Sequence, residues 1–76
     1  MAIRYGSHAL RRMEERGISK SDVEAVLRSP VDMVDDPEQG SVRLSATVGG
    51  RVLKVWVLAP WPDGDRSFVK STAWKD

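Results

Sequence analysis

The run from Ser7 to Ile18, S-H-A-L-R-R-M-E-E-R-G-I, constrains this chain more than any other. From His8 to Arg16 it contains neither glycine nor proline, so it predicts a helix that Ser7 is placed to cap. Gly17 then supplies the left-handed residue that commonly ends a helix, and Arg16 sits at the negative end of the helix dipole. Leu10 and Met13 form its apolar side, and Ile18 is expected to pack back on one of them.

A second helix follows at once. Ser21 with Glu24 reads as a capping box, and Ser19 with Asp22 offers a rival cap two residues earlier. The helix runs to about Arg28, before Ser29-Pro30, with Val23, Val26 and Leu27 as its stripe. Two short helices joined by a glycine turn make an αα-hairpin.

After Pro30 the period changes. Val31, Met33 and Val34 suggest a short strand, and residues 35–40 a turn. Ser41 to Val48 alternates strictly, Gly49-Gly50 is a two-residue hairpin turn, and Arg51 to Leu58 is rich in β-branched residues. Ala59 to Arg66 reads as a loop and Ser67 to Trp74 as a last strand, while Met1 to Gly6 is either an unstructured lead or a brief strand. The order α-α-β-β-β-β predicts a single α+β domain over residues 1–76. Two N-terminal helices should pack on one face of a four-stranded antiparallel sheet.

A chain of 76 residues has one small core, and 41% hydrophobic with 30% charged residues is too apolar for disorder. A net charge of +1 is no global signature of a nucleic-acid binder. The charge is unevenly spread, however. Asp32, Asp35, Asp36 and Glu38 crowd one segment, whereas residues 41–58 carry Arg43, Arg51 and Lys54 and no acid. With no cysteine and one histidine, neither thiolate chemistry nor a structural metal site is expected, and no cofactor is called for. No apolar run reaches membrane-spanning length and the N-terminus lacks a signal-peptide core, so a soluble cytoplasmic protein is the default expectation.

If the helices cover the more apolar face of the sheet, that face takes Val42, Leu44, Ala46 and Val48, then Leu53, Val55 and Val57, then Val69, Ser71 and Ala73. The opposite face takes Arg43, Ser45, Thr47, Lys54, Trp56, Phe68, Lys70, Thr72 and Trp74. Bases, hydroxyls and aromatics on one surface suit RNA, with Arg43 and Lys54 for phosphates and Trp56 and Trp74 for stacking. The plainer alternative is a small sheet whose lysines protect an edge.

On the first helix His8, Arg12 and Glu15 fall at i, i+4 and i+7, with Arg16 four residues after Arg12 and Arg11 beside the stripe. Metal-independent RNA cleavage needs a base for the ribose 2′-OH, an acid for the leaving 5′-oxygen and cations for the phosphorane. Histidine suits either proton role, and arginine forks match phosphate oxygens. The same residues also make an ordinary solvated face, with Arg11 and Arg12 both in reach of Glu15.

The stretch from Ser7 to Pro30 resembles the opening of a prokaryotic family catalogued as domain of unknown function 4258. The resemblance rests on His8, Arg12 and Met13, Glu15 to Ile18, Asp22 and Val23, and Pro30. Gly50, Val52 and Leu53, and Val69 to Thr72, resemble its later strands more loosely. That family is similar to the barnase, EndoU, colicin and RelE group of toxin-type domains, several of which are metal-independent ribonucleases. The resemblance implies a RelE- or barnase-like fold, with His8, Arg12 and Arg16 as the matching polar positions and Lys70 and Thr72 as partners from the sheet.

Three readings stay open at this point. The chain is a toxin-like ribonuclease acting on RNA or the ribosome. It is a non-catalytic module for RNA or for a protein such as an antitoxin. Or it is a homo-oligomeric structural domain anchored by Trp61 and Trp74.

Overall fold

Gly17 ends the first helix as the sequence predicts, and the rest of the fold is set by what that stop allows. In the computed structural model, which describes residues 2–75, Gly17 takes φ 65° and its N–H and that of Ile18 both reach the Met13 carbonyl. The elements are β1 (Ala2–Tyr5), α1 (Ser7–Arg16), α2 (Lys20–Arg28), β2 (Asp32–Asp36), β3 (Ser41–Val48), β4 (Arg51–Leu58) and β5 (Arg66–Trp74).

The cap of α1 is Gly6 rather than Ser7, and no side chain caps it. A Cβ on Gly6 would lie 3.2 Å from the Phe68 ring, so the close approach of chain to ring favours glycine there. At α2 the earlier of the two boxes forms. The Ser19 hydroxyl accepts from the Asp22 N–H at 3.1 Å, and the Asp22 carboxylate accepts from the Ser19 N–H at 3.0 Å. Ile18 and Val23 then stand at the two positions of a hydrophobic staple, and both are buried. That anchoring selects Ser19 over Ser21.

The sheet has five strands, not four, and it is mixed. Its order is β1-β5-β4-β3-β2, with β1 parallel to β5 and every other pair antiparallel. The four-stranded antiparallel sheet is therefore corrected by β1. Ala2–Tyr5 is too short to display a period, and the partner that makes it a strand lies at the far end of the chain. Ala2 N–H donates to the Asp65 carbonyl at 2.7 Å and Gly6 N–H to the Val69 carbonyl at 3.0 Å, closing both ends of that pairing. Edge strand β2 runs on through Asp35 and Asp36, read above as turn, because both pair with β3.

Both helices cover one face, α1 against β5 and α2 against β3 and β4. Val42, Leu44 and Ala46 and then Leu53, Val55 and Val57 are buried beneath them, as the alternation predicts. Two expectations about faces are overturned. Helix α1 buries Ala9 and Met13, while Leu10 stays 43% exposed, because the i, i+4 pair and not its neighbour points at the sheet. In β5, Val57 pairs with Val69 but Trp56 pairs with Ser71, so Lys70 is an extra residue and the alternation flips past it. Thr72 is thereby fully buried and Trp74 packs on the core, whereas Ser71 and Ala73 are only half-buried. Among the described residues no helix is long and apolar enough to cross a membrane.

The half-buried Tyr5 gives the fold one titration signature. Its hydroxyl has no hydrogen-bond partner among the described residues, and burial, followed by the nearby Glu24 charge, raises its pKa above the usual 10.0. The folded state therefore holds the phenol proton more tightly than the unfolded chain. The stability so gained is complete below the unfolded pKa and is lost as pH rises through the folded one. Urea midpoints measured across pH 10.0 and above should fall more steeply for the native protein than for Tyr5→Phe. Parallel profiles would contradict the assignment.

Candidate functional site

The bulge that flips β5 also builds a chemically mixed cleft. His8, exposed in the first turn of α1, lines it with Lys70 and Ser71 of the bulge, Trp56 of β4, Ser41 of β3, and Asp36 and Gln39 beside the β2–β3 turn. Its volume is about 280 Å³. Lys70 is aimed across it, and its ammonium donates to the Gln39 carbonyl at 2.8 Å, a neutral partner that leaves the charge in place. An imidazole, a cation, a carboxylate, two hydroxyls and an indole thus converge from four parts of the chain.

The other residues expected of the first helix go elsewhere. Arg12 is half-buried and pairs with Glu15 at 3.7 Å. Arg16 turns to the far end of β5, where its guanidinium donates to the backbone carbonyl of Thr72 at 3.0 Å. In return the Trp74 indole N–H donates to the Arg16 carbonyl at 2.9 Å, tying the end of α1 to the last strand. Arg16 lines a second cleft of about 400 Å³ with Arg51, Lys54, Ala73 and Trp74. His8, Arg12 and Arg16 therefore do not act on one point.

Thr72 is corrected as a member of the open face. Its side chain is fully buried, and its Oγ1 has no hydrogen-bond partner among the described residues, so only its carbonyl takes part in anything nearby. Trp74 likewise leaves that face for the core side. Trp56, Lys54 and Arg43 stay together as the alternation places them, with the Lys54 ammonium 5.7 Å from the centre of the Trp56 ring. Arg43 and Lys54 also line a third cleft of about 170 Å³, which Asp32 shares. Arg11 is exposed on α1.

Sequence reasoning gave no site role to Ser71, Ser41, Asp36, Gln39 and Arg51. Ser71 was hidden by the bulge. Arg51 carried a signal, since it opens β4 directly after Gly49-Gly50 and is paired with Val48, one strand away from the end of β5. A further cleft of about 460 Å³ is lined by Ala2, Arg4, Leu58 and Phe68 together with Asp63, Asp65 and Arg66, and none of the expected site residues faces it.

Residues 5–70 match the family described as Domain of unknown function (DUF4258). No curated protein and no solved structure matches the chain.

Proposed function

We propose that this chain, which belongs to the DUF4258 family, binds single-stranded RNA and cleaves it without a metal ion in the cleft beside His8. The observation that carries this reading is the convergence of His8, Lys70 and Trp56 on one cleft. Trp56 offers a flat surface for an unpaired base, and the Lys70 ammonium a charge for the scissile phosphate. His8 takes the proton of the ribose 2′-OH as that oxygen attacks phosphorus. The P–O5′ bond breaks, the departing 5′-oxygen takes a proton from water, and a 2′,3′-cyclic phosphate remains. Lys70 stabilises the charge on the equatorial oxygens. Kinship with the toxin-type ribonucleases belongs to this proposal, supported by the helix pair and the polar cleft and not by the sheet. Arg12, Arg16 and Thr72 have no catalytic part in it.

The test is a fluorescent single-stranded RNA incubated with purified protein in excess chelator. Cleavage is expected to leave a cyclic phosphate end, and His8→Ala should lower the rate about 10²- to 10⁴-fold while RNA affinity holds. Binding without cleavage would replace this reading with that of a non-catalytic RNA module. Neither binding nor cleavage would remove it altogether.

A further inference from the structure

The second cleft has a feature that an ordinary cationic surface lacks. Arg16, Arg51 and Lys54 all line it, and among the described residues no carboxylate does. Among the described residues the only ion pair joins Arg12 to Glu15, so no described carboxylate pairs with any of these three cations. Two of them are nevertheless held in place. The Arg16 guanidinium is fixed by the Thr72 carbonyl at 3.0 Å, which occupies one of its five N–H donors and leaves the rest available. The Arg51 guanidinium stacks on the Trp74 ring, 4.3 Å from its centre, and Trp74 is itself fixed through its N–H to the Arg16 carbonyl. Each restraint orders a guanidinium with an uncharged partner, lowering the entropy lost when an anion arrives without spending the charge.

We propose that the cleft lined by Arg16, Arg51, Lys54 and Trp74 is a phosphate-binding subsite. Its ligand chemistry is the phosphoryl oxygen, which planar guanidinium forks match bidentately. The Arg51 guanidinium lies at stacking distance, 4.3 Å, from the centre of the Trp74 ring, closer than the Lys54 ammonium lies to Trp56 at 5.7 Å, so this cleft reads phosphate and not base. Lys54 links it to the first cleft, because its ammonium also stands over Trp56, which lines the cleft of His8. A strand stacked on Trp56 thus meets Lys54 next and then Arg51 and Arg16. This rests on the RNA reading above for the source of the phosphate, a phosphodiester further along the bound strand. Free phosphates carry the same chemistry.

The experiment compares the native protein with the double variant Arg51→Gln, Lys54→Gln, and both are followed by circular dichroism to establish that they fold. One arm measures affinity for a single-stranded RNA across a salt series. The other titrates inorganic pyrophosphate while the Trp74 indole N–H resonance is observed. In the first arm the variant is expected to bind about tenfold or more weakly and to lose about 1.4 from the log–log salt slope, about 0.7 for each cation removed. In the second, pyrophosphate should shift the Trp74 resonance saturably in the native protein and not in the variant. A Trp74 shift with an unchanged RNA slope, or with no RNA binding at all, assigns the subsite to free phosphates; in the latter case the RNA reading falls while the subsite stands. A native salt slope in the variant together with an unmoved Trp74 resonance overturns the subsite and leaves the His8 cleft untouched.

Discussion

Leu53→Ala is expected to remove about 2–5 kcal/mol of folding stability, the range for a buried leucine truncated in a well-packed core. A domain of this length has only about 4–11 kcal/mol in total, so the variant should be largely unfolded at modest urea. Leu53 sits on β4, the middle strand of the sheet, and is fully buried. Its partners in register are Ala46 on β3 and Trp74 on β5. Ala46 is too small to fill the space, and hydrogen-bonded strands on both sides hold the backbone apart, so the cavity persists. Urea unfolding provides the measurement, with the midpoint falling at unchanged slope. A loss under about 1 kcal/mol would mean that the site collapses and that the core is looser than its burial implies.

Trp74→Ala should be the costliest change at the edge of the core, about 2–3 kcal/mol. The half-buried indole packs against the core, accepts the stacked Arg51 guanidinium and donates to the Arg16 carbonyl at 2.9 Å. That hydrogen bond fastens the last turn of α1 to the strand it covers. Trp74→Phe separates the contributions, since it keeps a ring for packing and stacking and loses only the donor. It should cost about 1 kcal/mol, seen as a drop in melting temperature of about 4–8 °C. If the two variants melt together, the hydrogen bond dominates and the packing is minor. If Phe melts with the native protein, the tie to Arg16 contributes nothing.

Much of this molecule is legible without coordinates, for a local reason. Helix α1 ends at Gly17 because only a residue without a side chain takes φ 65° there at little cost. The β3–β4 hairpin follows from strict alternation around Gly49-Gly50, both at positive φ. Those signals lie within a few residues of the structure they specify. That His8 should have Lys70 and Thr72 as partners from the sheet was an expectation of the family resemblance; Lys70 lines the cleft of His8, whereas Thr72 is buried.

Three features depended on residues far apart in the chain. Strand β1 exists because Arg66 to Val69 offers it a parallel partner, and four residues alone carry no such instruction. The bulge at Lys70 inserts one residue against β4, and a period read along a single strand cannot register an insertion that is defined only by its neighbour. It carried Thr72 and Trp74 to the core side and set Ser71 beside His8. The helical stripe His8, Arg12 and Arg16 was correct as a spacing, but α1 spans two clefts along β5, so its ends serve different sites. The sequence by itself determined the helix pair, the central hairpin and the chemistry available. Tertiary structure decided which of those groups meet, because burial and strand pairing are set by partners that lie dozens of residues away.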